Sequence, residues 1–375
     1  MKWLRQEQEM IQLLKTLVNI DSGSHNKKGV DRVGAILQEE YEKMGLAVEI
    51  IQEEIQGNHL VIRHPEEKDA EILIVAHMDT VFPEGTAAER PFQIVGSRAY
   101  GPGVADMKAS QVQLLYTIKG LAAAKDPALK NIVIILNSDE EIGSPTSRSL
   151  IREKAGSKKY ALVMEPARPD GSLVTSRRGG GQFHITVEGK AAHSGIEPEK
   201  GISAIEELCH KIIDLQKLND HEHGISVNCG LISGGTAVNT VPAEAEAHID
   251  VRIASLDQCG PLLEQIDKIC STTYIEGTST VLTGKINRPP MPKSDKTMAL
   301  LDLIQRAGTK LGIPITDTAT GGGSDASFTA AAGAATVDGL GPIGGKAHSE
   351  EEYLELDSLM ERTELLAELL KELSK

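Results

Sequence analysis

The sequence predicts an α/β protein in which a mostly parallel sheet flanked by helices is interrupted by a smaller, inserted α+β domain. Three observations carry this expectation. Short continuous apolar runs alternate with helical periodicity as far as Glu165, strict in-out alternation replaces them at Phe183, and a proline-rich run follows at Arg288. Strand-length apolar runs suit strands buried on both faces, and their alternation with helices is the pattern of parallel crossover units.

The elements follow in order. Ile11, Leu14, Leu17 and Val18 recur at helical spacing between Leu4 and Asn19, and a second helix runs from about Val30 to Met44 and stops at Gly45. Ala47 to Ile51 and His59 to Arg63 read as strands, and Ile72 to Ala76 as a strand buried on both faces. A helix from about Asp106 to Ala124 leads to the apolar run Ile132 to Leu136, and a helix around Thr146 to Lys154 leads to the strand Ala161 to Met164. Beyond Gly179, Phe183, Ile185 and Val187 alternate with His184, Thr186 and Glu188, as on a strand with one exposed face. A helix at Ile202 to Leu218, strands near Ile225 to Leu231 and Ala245 to Ile253, a helix at Pro261 to Ile269 and a strand at Thr280 to Ile286 complete the inserted domain, 179–287. Arg288-Pro289-Pro290-Met291-Pro292 cannot extend a strand and serves as the return linker, so the larger domain consists of 1–178 and 288–375. Helices from Thr297 onward, a short strand around Ala335 to Asp338 and a last helix at about Leu354 to Leu373 finish it.

Composition narrows the partners. Hydrophobic residues at 40% and charged residues at 25% are ordinary for a globular chain, so the fold can rest on its own core. Acidic residues outnumber basic ones by 54 to 39, and the resulting formal charge of −15 repels nucleic-acid backbones and anionic membranes. Aromatic residues at 3% leave few platforms for stacking single-stranded bases, so a small or peptide-like partner is expected, with no nucleic acid and no membrane. No stretch approaches ~18 uninterrupted apolar residues, and the opening MKWLRQEQEM is broken by charge where a secretion signal needs an apolar core. A cytoplasmic protein is expected. Cys209, Cys229, Cys259 and Cys270 show no C-x-x-C spacing and read as buried free thiols.

The chemistry gathers at strand ends. Ile72 to Ala76 runs into His77-Met78-Asp79, and side chains two apart on a strand share a face, so Asp79 can orient the His77 ring. Ile132 to Leu136 runs into Asn137-Ser138-Asp139-Glu140-Glu141, and Ala161 to Met164 into Glu165-Pro166. Parallel strands place ligands at this carboxyl edge. The glycine-bearing turn Gly101-Pro102-Gly103 precedes Asp106, which reads either as a helix cap or as a site carboxylate, and His348 lies in a Gly-rich loop near the C-terminus. Imidazoles and carboxylates without thiolates suit zinc, with cobalt or manganese as substitutes.

These motifs, in this order and over essentially the whole chain, resemble the M20 family of co-catalytic zinc peptidases and amidohydrolases, and within it the glutamate carboxypeptidase branch. The resemblance implies a catalytic domain of zinc-exopeptidase type and a ferredoxin-like lid through which two chains form a homodimer. It implies that His77 and Glu165 hold one zinc ion, that Glu141 and His348 hold the other, that Asp106 bridges them, and that Glu140 stays unligated as the proton carrier beside Asp79. Three carboxylates and one hydroxide balance the charge of two Zn²⁺, which lowers the cost of burying them.

The inserted domain adds Gly189-Lys190-Ala191-Ala192-His193-Ser194, which resembles the family's lid motif and implies that His193 steadies the oxyanion in the partner subunit's site. Asn239 matches a family residue for substrate and oxyanion. Arg252 and Arg288 match positions that hold a substrate carboxylate, for which a guanidinium fork is suited. Gly322 and Gly323 match a loop that lines the substrate pocket, with a cap at Ser324 or Asp325 as the competing reading. Arg178, in Arg177-Arg178-Gly179, departs from the glutamate carboxypeptidase pattern and points to acidic substrates of another length. The expected reaction is hydrolysis of the amide bond of a small peptide or N-acyl amino acid, releasing a C-terminal amino acid. An aminotripeptidase and an N-acyl amino acid deacylase are the alternatives within the family, and a non-catalytic metal-binding dimer the alternative outside enzymes.

Overall fold

The computed structural model describes residues 2–375, with side chains from Gln6 onward. The chain forms two compact units. The first takes the chain up to Ser176 together with Lys293–Thr320 and Ser324–Lys375, and the second is Arg177–Pro292 with Gly321–Gly323.

The first unit is built on a six-stranded sheet in the order Ala47–Ile51, His59–Arg63, Ile132–Asn137, Ile72–His77, Tyr160–Val163, Ala335–Val337. The last four strands are mutually parallel, while the first two form an antiparallel margin. In the centre, Ile74 lies opposite Ile134 on one side and Leu162 on the other. Every residue of Ile72–His77 and Ile132–Asn137 is buried, which explains why these runs carry no polar alternation until they end. Helices on the sheet faces supply the rest of the core. Ala109–Ala123 is buried over most of its circumference, and Leu356–Leu373 contributes Leu359, Leu365, Leu366, Leu369, Leu370 and Leu373.

A second, smaller sheet in this unit has no signature in the sequence pattern. It runs Gly344–Gly345, Tyr353–Glu355, Arg98–Tyr100, Gln93–Val95, with Tyr353 opposite Tyr100 and Gly344 opposite Leu354. Its strands are only two or three residues long. They nevertheless bring the loop of His348 beside the turn that follows Tyr100.

The second unit is a four-stranded antiparallel sheet in the order Ser226–Gly234, Glu244–Ile253, Gly179–Glu188, Ser279–Arg288. Its chain order is strand, helix, strand, strand, helix, strand, the ferredoxin-like arrangement. Helices Ala204–Gln216 and Cys259–Ser271 cover one face, where Phe183, Ile185, Val187, Ala247, Ile249 and Val251 meet Leu208, Leu262 and Ile266.

The four cysteines are free, but only Cys270 is buried; Cys209 is exposed and Cys229 and Cys259 are half-buried. The expectation of four buried thiols fails because Leu208 and Leu215 take the inward positions of the helix that carries Cys209. Among the described residues no helix is long and apolar enough to cross a membrane.

Candidate metal centre

The carboxyl edge of the parallel strands gathers the predicted ligands within the first unit. His77 ends its strand, Glu140 and Glu141 sit on the short turn after Ile132–Asn137, and Glu165 follows Tyr160–Val163. His77 Nε2 lies 3.2 Å from Asp106 Oδ1 and 3.8 Å from Glu165 Oε1. His348 Nε2 lies 3.1 Å from Glu141 Oε2 and 3.4 Å from Asp106 Oδ2. The two oxygens of Asp106 therefore face two different imidazoles. Donor atoms of His77, Glu140 and Glu165 also lie within 4.8 Å of one another, as do those of His77, Asp106 and Glu141.

Asp79 organises this edge through two sets of atoms. Its main-chain oxygen is 2.9 Å from His77 Nδ1, with carboxylate Oδ1 at 3.4 Å, so a proton on Nδ1 fixes the ring and leaves Nε2 for a metal. Its carboxylate accepts hydrogen bonds from Ser24 Oγ at 2.6 Å and from the backbone N–H groups of Glu140 and Glu141, both at 3.2 Å. One buried side chain thus ties the His77 strand to the Glu140-Glu141 turn. Gln111 Nε2 donates to the His77 carbonyl at 2.5 Å, and the carboxylate of Asp139 accepts from Thr146 N at 2.6 Å and Ser147 Oγ at 2.5 Å, closing the turn.

Asp106 is not a helix cap. The regular helix begins at Ala109 with Lys108 at its N-cap position, and Asp106 holds φ −111° and ψ 91°. What holds its loop is Glu352, whose buried carboxylate accepts from Gly103 N at 3.1 Å, Ala105 N at 2.8 Å and Asp106 N at 3.0 Å. Glu352 carries no signal of this role in the sequence, because it is the third acid of Glu350-Glu351-Glu352, a run that reads as solvated. His348 sits four residues before it with φ 63°, a left-handed backbone uncommon outside glycine and found at sites whose geometry is imposed by the surroundings.

The electrostatics express a demand for positive charge. Burial pushes the Glu141 carboxyl up to about 7 and that of Glu165 well above its ordinary range, with the charge of Asp106 adding to both. Burial also works against the Asp106 anion, but hydrogen bonds from His348 and His77 outweigh it and hold this carboxyl low. Those bonds have their counterpart in His348, raised to about 11 by Asp106 and Glu141, and in His77, where Asp106 and Asp79 overcome the burial that disfavours its cation. Protons here do the neutralising that divalent ions do in a metal site. Glu141 Oε1 is buried and finds no hydrogen-bond partner among the described residues. An all-nitrogen-and-oxygen donor set, a split Asp106 carboxylate and an orphaned Glu141 oxygen fit borderline divalent metals.

The remaining predicted residues belong to the second unit. His193 is exposed, and its Nδ1 accepts from Gly195 N at 3.1 Å. It pairs with Thr240, and Ser194 N donates to Asn239 O at 3.0 Å, so His193 and Asn239 sit on facing segments. Arg252 makes a two-pronged bond to Asp250, at 2.8 and 2.9 Å, so its fork already holds a carboxylate of its own chain. Arg288 packs on Gly323, where a Cβ would lie 2.5 Å from Arg288 Cδ. Arg178 is half-buried; its buried neighbour Arg177 is the one that holds the glycine loop, with Nη1 donating to Gly322 O at 3.0 Å and Gly323 O at 3.4 Å. Two adjacent arginines gave no basis for preferring Arg177. In the first unit, Ser324 Oγ accepts from Ala326 N at 3.2 Å, as a cap would, whereas the Asp325 carboxylate accepts from Asn137 Nδ2 at 2.7 Å.

Two imidazoles and four carboxylates converge where the parallel strands end, which defines a candidate centre for divalent metals on an α/β scaffold. The chain belongs to peptidase family M20/M25/M40, whose sequence profile matches residues 73–372, and it is an M20 metallopeptidase or amidohydrolase. It is similar to carboxypeptidase G2 of Pseudomonas sp. (strain RS-16), with 28% identity over 372 residues that cover 97% of this chain and 89% of the relative. It is also similar to acetylornithine deacetylase of Vibrio campbellii, with 29% identity over 228 residues, 56% of this chain and 58% of the relative. Among solved structures, aminopeptidase PepT from Bacillus cereus shares the fold with a TM-score of 0.81 at 21% identity, covering 98% of this chain and 99% of that one.

Proposed function

We propose that this enzyme uses two zinc ions to hydrolyse the amide bond of a small peptide or N-acyl amino acid, releasing the C-terminal amino acid. The observation that carries the reading is the split carboxylate of Asp106, with one oxygen toward His77 and the other toward His348. In this reading His77 and Glu165 hold one ion, Glu141 and His348 the other, and Asp106 joins them. Cobalt or manganese suit the same donors. When bound, the ions polarise the scissile carbonyl and make water acidic enough to attack near neutral pH.

The chain's own residues do the rest. Asp79 holds the His77 ring and the Glu140-Glu141 turn in one geometry. Glu140 takes a proton from the attacking water and delivers it to the departing amine nitrogen. Its carboxylate is itself within ligand distance of His77 and Glu165; it is kept for the proton because His77, Glu165 and Asp106 already supply three donors on that side.

In the second unit, the family resemblance assigns His193 and Asn239 to the oxyanion, Arg252, Arg288 and Arg178 to a substrate carboxylate, and Gly322 and Gly323 to the pocket wall. For Arg252 a substrate carboxylate would have to compete with Asp250. The same resemblance makes this unit the lid and dimerisation surface of a homodimer, and we propose a cytoplasmic location with it. The test is a panel of N-acyl amino acids and free-amine di- and tripeptides offered to the metal-loaded enzyme. Cleavage of N-blocked substrates with a free C-terminal carboxylate supports the proposal, and cleavage restricted to peptides with a free α-amine replaces it with an aminopeptidase.

A further inference from the structure

The second unit carries a cluster of metal-binding groups that the hydrolytic centre does not use. His184 and His248 lie directly opposite each other on neighbouring antiparallel strands, and Glu246 lies two residues from His248 on the same strand, so all three project from one face of the sheet. That face is the one opposite the two helices, because the intervening Ile185, Ala247 and Ile249 point into the core. His184 Nε2 is 3.0 Å from Glu246 Oε2, and the two imidazoles stack with centroids 4.2 Å apart and planes 11° apart. One donor atom from each of the three residues lies within 4.8 Å of the other two.

We propose that His184, Glu246 and His248 form a third site for a divalent transition metal, with zinc as the first candidate. The donor spacing is close to what such an ion requires, and the stacked rings have to turn out of parallel so that both in-plane nitrogen lone pairs reach it. At metal–donor distances of about 2.0–2.1 Å and tetrahedral angles, neighbouring donors stand roughly 3.3 Å apart, so the His184–Glu246 edge needs only small movement to open around an ion. The sheet sets the spacing, since residues directly opposite have Cβ atoms only about 4.5–5.5 Å apart. The carboxylate is also aimed: Ser233 Oγ donates to Glu246 Oε1 at 2.9 Å, which leaves Oε2 turned toward His184, the kind of supporting bond that orients metal-binding carboxylates. Two imidazoles and one carboxylate without thiolate favour Zn²⁺, Cu²⁺, Ni²⁺ or Co²⁺ over Mg²⁺ or Ca²⁺. All three side chains are half-buried or exposed, so at least one coordination position faces solvent.

The test compares the full-length wild-type protein with His248→Ala and with Glu246→Gln, which keeps the shape of the carboxylate and removes its charge. Each is dialysed against the same free Zn²⁺ concentration, and bound zinc per chain is measured by mass spectrometry alongside hydrolytic activity. The expected result is one fewer zinc per chain in His248→Ala, weaker retention of that ion in Glu246→Gln, and wild-type turnover in both, because neither residue belongs to the hydrolytic centre. A second readout is Co²⁺ titration followed by visible absorption, where the wild type gains a set of bands that His248→Ala lacks. Equal zinc content and identical cobalt spectra in properly folded wild type and variants would overturn the proposal.

Discussion

Glu352 provides the sharpest test of how the centre is held, because its buried carboxylate binds the backbone of the Asp106 loop. Its carboxylate is 1% exposed and accepts three backbone N–H groups, with Oε1 serving Ala105 and Asp106 and Oε2 serving Gly103. Replacing it with alanine strands three buried donors, each worth roughly 1–3 kcal/mol when left unmade, and loop relaxation keeps the total below their sum, at about 3–5 kcal/mol. Glutamine can keep an oxygen toward Ala105 and Asp106 and loses only the Gly103 bond. Burial already pushes the Glu352 carboxyl up to about 7 against those three donors, so a neutral group is tolerated there and Glu352→Gln costs about 1–2 kcal/mol. Because the same bonds position Asp106, zinc affinity falls about 10- to 100-fold in Glu352→Ala, the usual range for residues that orient a metal ligand. Urea unfolding at fixed pH and competition against a chelator of known affinity measure the two effects. A Glu352→Ala protein within about 0.5 kcal/mol of wild type, with unchanged zinc affinity, would refute the assignment of loop and metal support to this side chain.

Three further outcomes are expected. Glu140→Gln should lower kcat by about 10² to 10⁴ while leaving metal content unchanged; near wild-type turnover would remove Glu140 from the proton path. In the proposed homodimer, His193→Ala and Glu140→Gln, each inactive alone, should regain up to about a quarter of wild-type activity when mixed under subunit exchange, since about half the dimers would be mixed and each would carry one whole site of two; verified heterodimers as inactive as the parents would place His193 outside the partner's chemistry. Burial lowers the imidazole of His59 from its ordinary value of 6.5 although Asp139 and Glu53 oppose the shift, and the ring rests against Thr146 Oγ1 at 3.0 Å. The unfolded chain therefore binds this proton more readily than the native one, so the contribution is whole above about pH 6.5 and is lost as pH falls through the lower native value. The unfolding free energy of wild type should drop more steeply between pH 7 and pH 5 than that of His59→Gln, and parallel profiles would contradict the sign.

The fold was legible where burial dictates composition. Ile72–His77 and Ile132–Asn137 are apolar until their last residues because both faces are covered, so the point where polarity returns is the point where the site begins. That is why three strand ends taken together mark His77, Glu140, Glu141 and Glu165 as candidates, and the structure brings them to one edge. Other parts rest on contacts between segments far apart in the chain. Glu352 reaches the Asp106 loop across some 250 residues through strands too short to carry a pattern, and nothing in its own neighbourhood distinguishes it from Glu350 or Glu351. Asp106 looked as much like a cap as like a ligand because both need a carboxylate after a glycine turn; only its backbone angles and the two facing imidazoles separate the readings. Arg177 and Arg178 alternate in burial, and identity alone could not say which turns inward.

Asp106 is proposed to join two metal ions in the first unit, and counting the ions decides whether it does. Protein carrying His248→Ala, which leaves only this centre to be counted, is stripped with a strong chelator, checked for retained fold by circular dichroism, and reloaded stepwise with Zn²⁺ while bound metal and hydrolysis are followed together. Stripping should abolish hydrolysis, binding should saturate at two ions per chain, and Asp106→Asn should lower the affinity for both. Full activity without a transition metal, or saturation at a single ion per chain, would contradict it.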